Sequence, residues 1–196
     1  MLPLVLDVTR LKLALIGNGS AAERRLALID EAGATDISVY ATAPSPALTR
    51  RAGERLVRHL PRPDELVAAR VVFISETSRE YRALALAART AGALVHVEDE
   101  PKLSDVHAPA VMRRGDLVIA VSTGGRSPAL AAEIKRFLQM LFSPEWRSRI
   151  EELAVLRRRW RMSGADHAGV VARTRAWSTA RQWLPTRSPG PRVATH

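Results

Sequence analysis

The feature that most constrains this chain is a short apolar run, Leu11 to Ile16, that breaks at Gly17-Asn18-Gly19 and continues as a helical pattern with Ala22, Leu26 and Ile29 on one face. A strand, a glycine turn and an amphipathic helix in that order form the opening half of a βαβ unit. The same alternation repeats. Asp36 to Ala41 alternates like a strand, and Thr42-Ala43-Pro44-Ser45-Pro46 breaks it before a short helix around Ala47 to Ala52. Leu56 to Leu60 reads as a weak strand and Pro63 opens a helix. Val71 to Ile74 is continuous enough for a strand buried on both faces, Ser78 to Ala91 is alanine-rich helix ended by Gly92, and Leu94 to Val97 is a further strand. Strands and helices alternating at this spacing predict an α/β fold with a Rossmann-like, doubly wound parallel sheet.

Beyond Val97 the rhythm changes. Ala110 to Arg113 and Leu117 to Val121, separated by Gly115-Asp116, predict a hairpin appended to the sheet. Pro128 then opens a helix to about Leu141, a helix runs from Pro144 through Arg161, and another covers roughly His167 to Trp183. The prolines and glycine after residue 184 predict a frayed tail. The expected organisation is a nucleotide-binding domain over 1–106, a dimerisation hairpin and helix over 107–143, a C-terminal helical domain over 144–184 and a disordered tail over 185–196.

Charge supports a change of character near Ser143-Pro144. The net charge of the 196 residues is +10. From Trp146 onward eleven arginines face three acidic residues, so most of the excess lies in the last quarter, together with all four tryptophans. The absence of cysteine excludes disulfides, cysteine-bound metal and a thiol nucleophile, and suits a cytoplasmic protein. No apolar run approaches the roughly 18 residues of a membrane span, so no membrane partner is expected.

Three segments carry candidate chemistry. Gly17-x-Gly19-x-x-Ala22 stands where a dinucleotide fingerprint must stand: Gly17 for the tight turn, Gly19 for backbone approach to a pyrophosphate, Ala22 for close helix packing. No acidic residue closes the second strand, so Thr42 is the polar candidate there and NAD versus NADP stays open. Glu98-Asp99-Glu100, at the carboxyl end of a predicted strand, offers a proton acceptor, with His96, Asp105 and His107 near in sequence. Their spacing matches no fixed metal motif, and no metal site is assigned. Ser122-Thr123-Gly124-Gly125-Arg126-Ser127, before Pro128, combines hydroxyls, glycine amides and a guanidinium at a helix start, which suits an anion. Each segment also has a plain structural reading: a good turn, a solvated acidic loop and a capped helix entry.

Together these segments resemble the precorrin-2 dehydrogenase and sirohydrochlorin ferrochelatase family, which includes the N-terminal module of siroheme synthase. The resemblance runs from Leu2-Pro3-Leu4 through GNGSAAERR (17–25), VEDEPKLSD (97–105) and VSTGGRSPALA (121–131), then more loosely into the C-terminal helices. It implies NAD-dependent dehydrogenation of precorrin-2 to sirohydrochlorin, ferrous iron as a further substrate in many members, and a homodimer formed through the segment after the sheet. It further implies Asp99 as the catalytic residue, cofactor contacts at Gly17, Gly19, Ser20, Ala21, Thr42 and Ala43, and tetrapyrrole contacts at Ser122, Thr123, Gly124, Gly125, Arg126 and Ser127. The chain departs from the family pattern at Asn18, where a glycine is common, at His96, and at Ser75-Glu76-Thr77. Two rival readings remain: an NAD-sensing regulator whose Arg157-Arg158-Arg159-Trp160-Arg161 region touches nucleic acid, and a family member that carries tetrapyrrole without chemistry. No helix-turn-helix signal supports nucleic acid, and Asp99 argues against loss of chemistry.

Overall fold

The computed structural model describes residues 1–184. They form two compact units, one comprising 1–109 with 123–127, the other 110–122 with the chain from Pro128 onward. The expected tail lies outside the described residues.

The first unit is built on a five-stranded parallel sheet: β1 (Leu13–Ile16), β2 (Ile37–Tyr40), β3 (Leu56–Val57), β4 (Val71–Ile74) and β5 (Leu94–Val97), in the order β3-β2-β1-β4-β5. β1 is the central strand, and its four residues are all buried, as a strand covered on both faces must be. The two-residue period sends alternate side chains into separate cores. Leu13 and Leu15 join Ile37, Val39 and Val71 beneath α1 (Ser20–Glu31) and α2 (Pro46–Ala52), whose Ala22, Leu26, Ile29 and Leu48 close that layer. Ala14 and Ile16 point the other way, with Val72, Ile74 and Val95, under α3 (Pro63–Leu66) and α4 (Arg79–Thr90), which supply Leu66, Tyr81, Ala85 and Ala88. The doubly wound α/β expectation is met. β3 is shorter than the Leu56–Leu60 reading because β2 ends at Tyr40, which pairs with Val57, and offers no strand residue opposite Arg58 to Leu60.

The second unit contains β6 (Ala110–Arg114) and β7 (Leu117–Val121), an antiparallel hairpin turning at Gly115, whose φ of +60° suits glycine. These strands form a sheet of their own, which corrects the expectation of a hairpin appended to the parallel sheet. α5 (Pro128–Leu141) packs on the hairpin, and Arg114 ties the two by donating from Nε to the Phe142 carbonyl at 2.9 Å. α6 (Trp146–Met162) and α7 (His167–Ala180) pair with each other. α7 is N-capped by Asp166, which accepts from the Gly169 amide at 2.8 Å, and ends three residues before Trp183. Aromatic rings hold this unit: Phe142 lies against Trp146, Trp146 against Trp183, and Trp160 against Trp177, with the Arg181 guanidinium 3.6 Å from the Trp177 ring centre.

Candidate functional site

Parallel strands end on one edge, and backbone bonds fix the turns there side by side. Gly17 donates to the Tyr40 carbonyl (3.0 Å), Ser75 to that of Ile16 (2.9 Å) and Glu98 to that of Ile74 (2.8 Å). The loops after β2, β1, β4 and β5 are thereby linked in a row. Strand order reverses between β1 and β4, the place where open α/β sheets form a ligand crevice.

Gly17 needs to be glycine on two counts. Its φ is +152°, and a Cβ would stand 3.1 Å from Ser75 Cβ and 3.3 Å from Ala22 Cβ. Gly19 differs: a Cβ there would meet nothing within 4 Å, so the space it leaves is open crevice. Gly19 is also the N-cap of α1 and offers no side-chain cap. The first-turn amides of α1, those of Ser20 and Ala21 among them, therefore receive no bond from a capping side chain and form the positive end of the helix. A backbone surface of this kind fits a dinucleotide phosphate.

Asn18, between the two glycines, is the most heavily bonded residue of the edge. Its backbone amide donates to Glu76 Oε1 at 2.5 Å, and its Nδ2 donates to Glu76 Oε2 and to the Tyr81 hydroxyl, each at 3.2 Å. On the other side, Asn18 Oδ1 accepts from the Ala43 amide at 2.7 Å and from the Thr42 hydroxyl at 3.4 Å. Thus Thr42 and Ala43, expected to contact the cofactor, are joined to the elbow by one side chain. Burial first, and the neighbouring Glu76 carboxylate second, push the Tyr81 hydroxyl up to about 12, so it stays protonated. Beneath Gly17, Ser75 Oγ is buried and has no hydrogen-bond partner among the described residues.

Asp99 sits in the turn after β5, exposed, with φ +56°. Non-glycine residues seldom adopt that conformation, although aspartate does so more readily than most, and such strain collects at functional positions. The turn is held from both sides. Glu98 accepts from Arg25 of α1 at 2.7 Å, and Arg25 Nη2 also meets His96 Nε2 at 3.0 Å. His96 and Arg25 together hold the Glu98 carboxyl down to about 2, against the effect of burial. Arg82 of α4 donates to Glu100 at 2.5 Å, and the Ser104 hydroxyl bonds both the amide and the carbonyl of Val97.

The other residues near Asp99 in sequence do not converge on it. His96 turns to Arg25 and, through Nδ1, to the Val106 carbonyl at 3.0 Å; Asp105 is spent on Arg89 and the Val95 amide. Among the described residues no three His, Asp or Glu side chains are grouped for a metal. The loop 123–127 lies in the same unit as the acidic turn: a Cβ on Gly125 would stand 3.9 Å from Pro101. Gly124 and Gly125 have φ of +65° and +79°, and Thr123 Oγ1 accepts from the Ser127 amide at 3.1 Å, closing the loop before α5. Ser122 falls in the second unit.

Sequence reasoning did not assign Arg25 or Tyr81 to the site, and it gave Asn18 and Glu76 no contact of their own, only noting them as departures from the family pattern, with Glu76 at the border of the pocket. Glu76 was within reach of the carboxyl-end rule, since it stands two residues beyond β4.

The family model described as putative NAD(P)-binding matches residues 4–110, and that described as sirohaem biosynthesis protein central matches residues 114–139. Siroheme synthase of Tolumonas auensis is 28% identical over 93% of this chain and 42% of its own length, and that of Methylococcus capsulatus 31% over 83% and 35%. The chain thus spans about two-fifths or less of these relatives. Precorrin-2 dehydrogenase of Bacillus subtilis is 27% identical over 81% of this chain and 99% of its own. The solved structure of SirC, precorrin-2 dehydrogenase, superposes with a TM-score of 0.75 at 20% identity, covering 94% of this chain and 93% of that one, which shows a common fold.

Proposed function

The chain belongs to the putative NAD(P)-binding family, and from that premise we propose that it is an NAD-dependent dehydrogenase converting precorrin-2 to sirohydrochlorin. The observation that carries this reading is the common edge: an exposed carboxylate in a strained left-handed turn shares it with a glycine elbow fit for a dinucleotide. The match to a protein named precorrin-2 dehydrogenase, over 99% of that protein and 81% of this chain, supports the choice of substrate.

NAD, when bound, supplies the hydride acceptor. Gly17 and Gly19 keep the elbow bare, and the amides of Ser20 and Ala21 at the start of α1 bind the phosphates. Thr42 and Ala43 bound the place for the adenosine half. Asp99, held in its turn by Glu98–Arg25 and Glu100–Arg82, accepts the proton that the macrocycle loses as its hydride departs, so that one hydride and one proton leave per double bond formed. Precorrin-2 carries eight carboxylates, and Ser122, Thr123, Gly124, Gly125, Arg126 and Ser127 offer amides, hydroxyls and a guanidinium to such groups. The nucleic-acid reading gains no comparable support from the fold.

A homodimer goes with this reading. Leu130, Ile134, Phe137 and Leu141 are spaced four, three and four residues apart along α5, and all four are exposed. They form one apolar stripe of the kind that a second copy covers. A cytoplasmic setting suits an NAD-linked reaction and a chain without cysteine; among the described residues no helix is long and apolar enough to cross a membrane.

The test is an anaerobic assay of the purified protein with precorrin-2 and NAD, followed by ferrous iron, with a spectrum recorded at each step. Sirohydrochlorin and NADH appear in equal amounts at the first step if the proposal holds. An unchanged spectrum at that step refutes it, and a further change on adding iron extends the activity to chelation.

A further inference from the structure

The bonds around Asn18 have no task in the reaction outlined above, yet they occupy the place where a dinucleotide must enter. The Asn18 amide, at the centre of the elbow, is already donated to an anion, Glu76 Oε1, at 2.5 Å. The Asn18 side chain spans the crevice from Ala43 in the loop after β2 to Glu76 and Tyr81 on the β4 side. The Tyr81 hydroxyl, buried and protonated, steadies the Asn18 amide group. Ser75 Oγ, enclosed beside the same elbow, has no partner among the described residues and so stands as a donor unused in this arrangement.

We infer that Glu76 is an affinity-determining residue of the dinucleotide site, an internal carboxylate that clasps the elbow through Asn18 and competes with the incoming phosphates. The inference rests on the dinucleotide reading and deepens it. The physical ground is simple. The Glu76 carboxylate, held on the Asn18 amide beside the first turn of α1, stands where the phosphates would dock, and two like charges this close repel each other. The helix end that attracts a phosphate attracts the Glu76 carboxylate for the same reason. Binding therefore requires the clasp to open, and apparent affinity falls by the fraction of time it is closed.

Calorimetric titration of the intact protein with NAD tests this, using wild type, Glu76→Gln, Glu76→Ala and Asn18→Gly, with adenosine as a probe that lacks phosphate. Glu76→Gln keeps the shape and an acceptor for the Asn18 amide while removing the charge, so it remains informative even where Glu76→Ala fails to fold. Complete release of a clasp closed about nine-tenths of the time makes NAD bind about tenfold tighter, a gain that Glu76→Ala approaches, while Glu76→Gln, which weakens the clasp, binds NAD more tightly than wild type with adenosine binding unchanged. Asn18→Gly, which releases Ala43, Glu76 and Tyr81 at once, shifts NAD affinity in the same direction. NAD affinity equal to or weaker than wild type in Glu76→Gln overturns the inference, weaker binding making Glu76 a ligand of the cofactor rather than its competitor. If neither wild type nor any variant binds NAD, the dinucleotide reading falls and the clasp with it.

Discussion

The two units differ in how they are stabilised. In the sheet unit, β1 is buried throughout and two separate cores, one beneath each helical layer, account for nearly all the buried apolar side chains. Among the described residues of the second unit only Met112, Ala131, Trp146 and Val170 reach that degree of burial, while Leu130, Ile134, Phe137, Met140 and Leu141 of α5 are exposed. The sheet unit completes its own interior and can spend its loops on strained turns such as the one at Asp99. The second unit relies on ring stacking and arginine contacts and leaves an apolar face open, the character of an element finished by a partner.

The largest effect that sharpens this contrast is expected at the centre of the sheet. Leu15 is wholly buried, and Leu15→Ala should cost about 2–5 kcal/mol, read from a shift of the urea unfolding midpoint. A cost below that range would mean the sheet core is less tightly packed than its burial implies. Next comes the apolar stripe: Phe137→Asp should weaken self-association by more than about 30-fold, the scale of a central interface residue, measured by sedimentation. Its NAD binding should be unchanged, and a variant that lost both would show the two units to be interdependent. A smaller effect is expected at Gly19, where a side chain meets open space at an ordinary φ of −97°. Gly19→Val should fold with stability within about 0.5 kcal/mol of wild type, yet bind NAD at least about tenfold more weakly because the crevice is filled. Smallest is the Glu98–Arg25 pair. The Glu98 carboxyl lies at about 2 in the folded chain, below its ordinary value of 4.5, so its contribution is complete above 4.5 and fades as pH falls toward 2. Being partly open to solvent, the pair should contribute only about 1 kcal/mol, seen as an acid-side loss of stability that Glu98→Gln abolishes.

The legibility of the sequence follows the same division. Each βα step of the sheet unit is written in consecutive residues: an apolar run, a glycine or proline break, then Ala22, Leu26 and Ile29 at helical spacing. Local sterics and burial suffice to read it. The elbow was legible for the same reason, and the carboxyl-end position of Asp99 followed from the strand before it. The clasp was not, because Asn18 and Glu76 are 58 residues apart and meet only once β1 and β4 are paired in register. The Arg25–His96–Glu98 contacts likewise join α1 to β5 and the loop after it across more than 70 residues. An alternating pattern fixes which face a side chain occupies but not which distant side chain shares it. The hairpin was legible as a hairpin, yet its separation from the parallel sheet depends on edge pairing that no local pattern encodes.

The account stands most directly on the carboxylate of Asp99, and one measurement isolates it: single-turnover oxidation of precorrin-2 by NAD under anaerobic conditions, comparing wild type with Asp99→Ala at matched NAD saturation. With the side chain exposed in a turn, the variant should fold and bind NAD as wild type does, while its rate falls about 100-fold or more, the range for loss of a general base. An Asp99→Ala protein that forms sirohydrochlorin at the wild-type rate would contradict the account.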